Sequence, residues 1–375
     1  MMTQLQGGVC APKGFRASGL HCGIRKNHQK KDLALILADA PCAAAAVYTR
    51  NKVYGAPITV TRAHLQNGLA QAVICNSGNA NTCNADGIDK ANAMCESLAQ
   101  CAGISAADVI IASTGVIGQP LPLEPIENAM PALVGGLSVA GSQDAAEAIM
   151  TTDLRPKQVA VTISIGGAKC TIGAMAKGSG MIAPNMATML CFVTTDAAIS
   201  SSLLDLALHE AVDDTFNMVI VDGDTSTNDM VSILASGQAG NAPIETTGET
   251  YAAFVEGLTQ ALATLARAVA QDGEGATKLV TCHVDGAPDR AIARAIARSV
   301  IQSPLCKTAM FGADANWGRI LCAIGYTPGE FSVDTVGVKI SSKAGSLTVC
   351  EQGSGVTFSE PLAKQILLEG EIDLW

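Results

Sequence analysis

Hydrophobic positions along the chain fall into short runs that alternate with longer, alanine-rich runs. The short runs are rich in Val, Ile and Thr and are bounded by small polar residues, which is typical of β-strands. Single strands are therefore predicted at five places: APITVTR, AQAVICNSG, DVIIAST, MLCFVTTDA and FNMVIVDGD.

Two further segments have the pattern of a β-hairpin. VAVTISIGGAKCTIGAMA alternates on both sides of Gly166 and Gly167, and TVGVKISSKAGSLTV lies near the end of the chain. The longer runs place apolar residues at helical spacing and predict three helices: SSLLDLALHEAVDDTF, ETYAAFVEGLTQALATLARAVAQDG and DRAIARAIARSVIQS. The mixture predicts the α/β fold class, with a sheet core covered by helices.

Composition narrows the class of protein. The chain has 375 residues, of which 48% are apolar and 15% charged, so we expect a globular protein with two domains or lobes. The net charge of −10 argues against nucleic acid or an anionic membrane as partner. The sequence contains no run of about 18 apolar residues, so no membrane span is predicted.

The 13 cysteines are scattered without a CxxC pair, so we expect no metal site. The first residues, MMTQLQGGVCAPKGF, are too polar for a signal peptide. We therefore expect a cytoplasmic protein whose thiols stay reduced and serve mainly as small core residues.

Small polar residues interrupt the pattern at five constellations, and each follows a predicted strand or helix. Loops at the ends of elements are common places for binding and catalysis. In DGDTSTND, Thr227 occupies the sixth position, where a calcium loop needs glycine, so a polar turn is the better interpretation. The constellations are NSGNAN, ASTGVIG, KGSGM with the following PNMAT, DGDTSTND and DGEGATK.

Thr188 allows two interpretations. It can be a packing residue at the start of a strand, or a nucleophile that takes part in the chemistry. Ala187 puts little bulk beside the preceding carbonyl, and Gly178 and Gly180 permit unusual backbone angles. A threonine hydroxyl needs a base, and the α-amine of an N-terminal threonine supplies one with a pKa of ~7.7–8.0. Cleavage of the bond between Ala187 and Thr188 by the Thr188 hydroxyl itself would expose that amine.

Two other constellations fit acyl transfer, each beside a plainer alternative. The Thr114 hydroxyl and the Gly115 N–H could hold a tetrahedral oxyanion, or the pair could form an ordinary turn. Glu274 and Lys278 could meet a charged substrate, or could be solvated surface.

Taken together, these stretches resemble the ornithine acetyltransferases, or glutamate N-acetyltransferases, of arginine biosynthesis. The resemblance covers nearly the whole chain and rests on stretches that stand in the family's order: NSGNAN, STGVIG, TTD, AKGSGMIAPNMATML, DGDTSTND, DGEGATK and SPLCKTAMFGADANWGRI. It implies a layered α/β fold, reminiscent of N-terminal-nucleophile hydrolases but connected differently. It also implies self-cleavage into an α chain of residues 1–187 and a β chain of residues 188–375, assembled as an α2β2 heterotetramer.

The same resemblance implies a role for each site residue. Thr188 would carry the acetyl group, Thr114 and Gly115 would form the oxyanion hole, and Thr151, Lys177 and Glu274 would contact the substrate. Glu274 would also relay a proton. These roles give a ping-pong transfer from N-acetylornithine to glutamate through acetyl-Thr188. No cofactor is implied, and some relatives also accept acetyl-CoA as donor.

One departure from the family and two rival functions stay open at this point. Relatives continue past EGEIDLW into a segment that brings an Asn and a Thr into the pocket, so we expect a shortened tail here. The first rival is an N-terminal-nucleophile amidohydrolase or aminopeptidase that uses water as acceptor. The second is a catalytically silent binding protein.

Overall fold

The chain folds into two compact units in the computed structural model, which describes residues 3–5, 7–183 and 189–375. The larger unit comprises Met1–Val219 and Asp224–Glu274, and the smaller unit comprises Ile220–Gly223 and Gly275–Trp375. These units do not follow the predicted division into 1–187 and 188–375. That division concerns a peptide-bond cleavage and stays a prediction.

The described part of the larger unit contains one nine-stranded sheet and six α-helices. The strands are β1 (Thr3–Leu5), β2 (Phe15–Leu20), β3 (Leu33–Tyr48), β4 (Leu69–Asn79), β5 (Val109–Val116), β6 (Lys157–Ile165), β7 (Ala168–Lys177), β8 (Leu190–Thr195) and β9 (Met230–Ala235). The helices are α1 (Ala56–His64), α2 (Gly87–Ala102), α3 (Glu124–Gly135), α4 (Ser142–Ala148), α5 (Ser201–Asp213) and α6 (Glu249–Gln271). The order in the sheet is β1-β6-β7-β8-β9-β3-β4-β5, with β2 beside β3.

The 16-residue strand β3 connects two halves of this sheet. The first half contains β2, β4 and β5, and the second half contains β1, β6, β7, β8 and β9. The first part of β3 pairs with β2 and β4, and its last part, from Ala43 to Tyr48, pairs with β9. The pairing of β3 with β4 shifts register between Leu37 and Cys42, which is where a long strand can change direction. One strand therefore belongs to both halves.

The two halves pack face to face and carry helices on their outer sides. Ile36 and Val73 share one core cluster with Phe192 and Leu234 from the other half. On the outer side of the first half, the alternate residues of β3, β4 and β5 pack against α1, α2 and α3. Helix α6 approaches the second half closely, since a Cβ on Gly257 would lie 2.6 Å from Ile163 Cγ2. This arrangement confirms the predicted layered α/β class.

Strands β6, β7 and β8 form the meander that leads to the candidate site. Gly166 and Gly167 join β6 to β7 with φ of 55° and 87°, the left-handed pair that a two-residue hairpin turn requires. Strand β8 pairs antiparallel with β7, with Lys177 opposite Leu190. The predicted hairpin and the strand within MLCFVTTDA are confirmed.

The smaller unit is a five-stranded sheet with four helices and its own core. Its sheet order is β10-β14-β11-β12-β13, and its apolar cluster includes Val300, Ile320, Ile340 and Ile366. The strands are β10 (Leu279–Cys282), β11 (Val338–Ser342), β12 (Gly345–Glu351), β13 (Ser354–Gly355) and β14 (Glu371–Leu374). The helices are α7 (Arg290–Gln302), α8 (Pro304–Phe311), α9 (Trp317–Gly325) and α10 (Glu360–Leu367).

Two strand predictions are wrong. APITVTR is helix α1, whose first turn contains Pro57, and FNMVIVDGD contains only a short 3₁₀ turn at Phe216–Met218. The strand predictions for AQAVICNSG and DVIIAST, the three helices and the second hairpin are confirmed. Across the described ranges, no helix combines the length and apolar character that crossing a bilayer requires.

Candidate active site

The predicted oxyanion pair lies at the end of β5. Thr114 is buried and pairs with Ser77 of the parallel strand β4, and Gly115 pairs with Gly78. Gly115 has φ +135°, and a Cβ there would stand 2.3 Å from the carbonyl carbon of Gly78. Only glycine fits this close approach of two backbones. The register shifts at Asn79, so the regular ladder ends at this pair.

Asn228 connects the DGDTSTND loop to the same strand end. Its Nδ2 donates to the carbonyl oxygens of Ala80, at 2.6 Å, and Ser113, at 3.0 Å. Its Oδ1 accepts a hydrogen bond from Thr82 Oγ1 at 2.6 Å. One buried amide therefore bridges the ends of β4 and β5 immediately before Thr114.

Lys177 ends β7, and its buried side chain lies within electrostatic reach of two carboxyl groups. Burial lowers the pKa of Lys177, and the charges of Asp153 and Asp229 oppose that effect. Burial also raises the pKa of Asp229 well above its usual range, although Lys177 and two hydroxyl groups act in the other direction. Among the residues that the structure describes, the Oδ2 atom of Asp229 is buried without a hydrogen-bond partner. Burial therefore disfavours the ionised form of Asp229, whereas Lys177 favours it.

Thr151 lies half-buried in the loop after α4. Its N–H donates to Asp153 Oδ2 at 2.9 Å. The residues just before it are held by two hydrogen bonds: Ser77 Oγ of β4 donates to the Ala148 carbonyl at 2.6 Å, and the Arg25 guanidinium donates to the Met150 carbonyl. The loop of Thr151 is thereby held beside the strand end that pairs with Thr114.

Glu274 is exposed and lies against the glycine-rich segment that follows β7. Its N–H donates to the Ser179 carbonyl at 2.8 Å. A Cβ on Gly180 would stand 2.6 Å from Glu274 Oε1, so the carboxylate occupies the space that the missing side chain leaves. Glu274 therefore lies against Gly180, which is three residues beyond Lys177 in the segment that follows β7.

Thr188 and Ala187 lie outside the described residues, so the cleavage and nucleophile predictions stay predictions. The described residues on either side both contact the DGDTSTND region. The Ala183 carbonyl accepts from Thr225 Oγ1 at 2.9 Å, and the Met189 carbonyl accepts from the Met230 N–H at 3.0 Å.

The described residues bring together several groups that acyl transfer can use. A glycine N–H at an interrupted strand end, a buried ammonium group and an exposed carboxylate are connected through the same few loops. Within residues 3–5, 7–183 and 189–375, no cluster of three or more His, Cys, Asp or Glu side chains is suited to a metal ion.

Comparison with known proteins identifies the family. The ArgJ family model matches residues 16–374 of this chain. The chain belongs to the ArgJ family. The "Arginine biosynthesis bifunctional protein ArgJ" of Symbiobacterium thermophilum is 50% identical over 373 residues, 99% of this chain and 92% of the relative. The protein of the same name from Caldanaerobacter subterraneus subsp. tengcongensis is 45% identical over 372 residues, with coverage of 99% and 92%.

Two solved structures are similar to half of the chain. The ornithine acetyltransferase of Mycobacterium tuberculosis, crystallised with ornithine, is 40% identical and has a TM-score of 0.47, covering 50% of this chain and 100% of the solved chain. The ArgJ protein of Bacillus halodurans is 39% identical with the same TM-score, and covers 50% and 98%.

Several buried polar residues of this candidate site are not predicted by the sequence reasoning. Asn228 and Asp229 were interpreted as part of a polar turn, although both are buried. Asp153 and Asp272 stand in the quoted TTD and DGEGATK without a predicted role, Lys157 stands in none of the quoted motifs, and all three are buried. The available signal was charge at strand and helix ends in or next to the quoted motifs, since Lys157 begins β6 and Asp272 caps α6.

Proposed function

We propose that this chain is a self-cleaving acyltransferase of arginine biosynthesis that transfers an acetyl group from N-acetylornithine to glutamate. Family membership supports the reaction class. The observation that carries the proposal is the position of Lys177, a buried lysine at the end of β7. Strand β7 pairs with β8, and β8 begins at Leu190, two residues after Thr188 in the sequence. A buried cation next to the nucleophile's segment suits substrates that present an α-carboxylate.

In the proposed maturation step, the Thr188 hydroxyl attacks the Ala187 carbonyl and the peptide becomes an ester. Water hydrolyses the ester, which releases the carboxylate of Ala187 and the α-amine of Thr188. That amine then serves as the base for the Thr188 hydroxyl. The parts that remain, residues 1–187 and 188–375, are proposed to assemble as an α2β2 heterotetramer in the cytoplasm.

In the proposed transfer, the Thr188 hydroxyl attacks the acetyl carbonyl of N-acetylornithine while Thr114 and Gly115 stabilise the oxyanion. The C–N bond breaks, ornithine leaves with a proton from the Thr188 amine or Glu274, and an acetyl ester remains. The amine of glutamate attacks this ester, N-acetylglutamate leaves, and the hydroxyl is restored. Because the relatives are named bifunctional, we include acetyl-CoA as a second donor substrate in the proposal, with no resident cofactor.

The test is intact mass and N-terminal sequencing of the purified protein beside Thr188→Ala. We expect the wild type to contain a chain that begins TMLCFV and the variant to remain whole. Incubation with N-acetylornithine should then place one acetyl group on the peptide that begins at Thr188. A wild type that stays whole, or an acetyl-free peptide, would contradict the nucleophile assignment.

An acceptor assay separates transfer from hydrolysis. We expect N-acetylglutamate to form only when glutamate is present, with either N-acetylornithine or acetyl-CoA as donor. Acetate release that does not depend on glutamate would instead support the amidohydrolase alternative.

A further inference from the structure

A buried ion cluster lies beneath the candidate site, outside the residues that the proposed mechanism uses. Lys157 Nζ donates to Asp153 Oδ1 at 2.7 Å and to Asp272 Oδ2 at 2.5 Å. The three side chains are at most 2% exposed. We call Lys157, Asp153 and Asp272 the buried triad. Taking such charges out of water is costly, so their retention calls for a reason other than stability.

Each carboxylate of the buried triad also holds backbone from a segment of the site. Asp153 accepts from the N–H of Thr151 at 2.9 Å through Oδ2, and from the N–H of Gly178 at 2.8 Å through Oδ1. Gly178 directly follows Lys177. The same carboxylate therefore fixes the loop of Thr151 and the end of the strand that carries Lys177.

Asp272 completes the connection to Glu274. Its Oδ2 accepts from the Leu154 N–H at 3.1 Å, and its carbonyl accepts from Ser179 Oγ at 2.8 Å. The Ser179 carbonyl in turn accepts from the Glu274 N–H at 2.8 Å. Lys157 joins the two carboxylates, so one ammonium group ties together three segments that are distant in sequence.

We propose that Lys157 is a positioning residue that sets the spacing between Lys177, Thr151 and Glu274, and thereby the fit of the amino-acid end of the substrate. This inference rests on the proposed function, because it assigns the three residues to substrate binding. An α-carboxylate at Lys177 and an ammonium group at Glu274 must be met at a fixed separation. A misplacement of about 1 Å is expected to cost roughly 100-fold in kcat/KM.

The experiment compares Lys157→Met with Lys31→Met in the acetyl-transfer assay. Lys31 also bridges two carboxylates, of Asp144 and Glu147, but it is 29% exposed and its partners make none of the hydrogen bonds to the three segments. We expect Lys157→Met to lower kcat/KM about 100-fold for both N-acetylornithine and glutamate, mainly through KM. Lys31→Met should stay within about 2-fold of the wild type, as an exposed pair contributes little.

Ser179→Ala keeps the test decisive if Lys157→Met does not fold. It removes one hydrogen bond of the connection and leaves every buried charge paired, and we expect KM to rise about 3- to 10-fold. If the wild type transfers acetyl but Lys157→Met or Ser179→Ala has an unchanged KM, the positioning role alone is overturned. A loss confined to kcat overturns it as well. A wild type that transfers no acetyl overturns the proposed function, which is a different result.

Discussion

Replacing Gly115 by alanine tests whether the end of β5 is built for one backbone geometry. The new Cβ would meet Gly78 C at 2.3 Å, Asn79 N at 2.5 Å and Gly78 Cα at 2.7 Å, all of them backbone atoms. Ordinary contact begins near 3.4 Å, so the strand ends must separate by roughly 1 Å. That displacement carries the Gly115 N–H with it.

Two costs follow from this movement. A non-glycine residue at a positive φ of this kind costs about 1–3 kcal/mol, and forcing bulk into a packed site adds about 1–3 kcal/mol. The free energy of unfolding should therefore fall by about 2–6 kcal/mol. A displaced oxyanion donor should lower kcat about 10²- to 10³-fold.

Gly118→Ala is the matched control. Gly118 has φ +77°, and no atom of the described part of the chain lies within 4 Å of a Cβ at that position. It should show only the backbone cost of about 1–3 kcal/mol and retain activity. Urea unfolding in the Thr188→Ala background, where one unbroken chain is expected, gives the stability difference, and the transfer assay gives kcat. Equal effects of the two substitutions on stability and kcat would refute the reasoning.

Three further predictions concern the charged and thiol groups. Asp229→Asn should raise the free energy of unfolding at pH 7, because burial raises the pKa of Asp229; the gain should disappear below about pH 4, where the unfolded carboxyl is protonated too. A pH series of urea unfolding checks this, and an equal gain at pH 3 would contradict it. Lys177→Met should raise KM for both substrates at least about 10-fold, measured by steady-state kinetics, whereas an unchanged KM would remove Lys177 from the binding site. In a thiol titration of the native protein, we expect the three exposed cysteines, Cys83, Cys101 and Cys322, to react first. Cys75 is buried and burial raises its pKa to about 12, so early reaction of Cys75 would argue against the packing.

The hydrophobic pattern predicted the correct helix or strand where the tertiary environment agreed with the intrinsic preference of the residues. The β6–β7 hairpin has alternating residues and a two-glycine turn, and both survive in the fold. APITVTR failed because tertiary contacts overrode the preference of its Val, Ile and Thr residues for strands. In α1, the Thr61 hydroxyl donates to the Ile111 carbonyl at 2.8 Å and accepts from the Ile111 N–H at 2.9 Å, which fastens the helix onto β5.

FNMVIVDGD failed for a different reason. The carbonyls of Ile220 and Val221 accept hydrogen bonds from Lys307 Nζ, at 3.5 Å and 2.8 Å, instead of from a neighbouring strand. A lysine 86 residues further along the chain cannot be paired with this run by any local pattern. The apolar composition predicted burial but not the partner.

The site divides in the same way. Thr114, Gly115, Lys177 and Glu274 stand in motifs that a reader of the sequence can recognise. Asp153 and Asp272 of the buried triad stand in TTD and DGEGATK, but nothing in those motifs shows that they share Lys157. Lys157 stands in no motif, and up to 118 residues separate the groups that the triad connects. Only the folded chain shows that these charges share one site.

The antiparallel pairing of β7 with β8 has a consequence for the life of the molecule after synthesis. If the bond before Thr188 is cut, the two products remain neighbours in one sheet, from Lys177 beside Leu190 to Ile172 beside Thr195. Before cleavage the chain would fold as a single molecule, whereas after cleavage refolding would require two fragments to associate in solution. The separated fragments would regain the native structure only at sufficient concentration, so dilution would make unfolding irreversible.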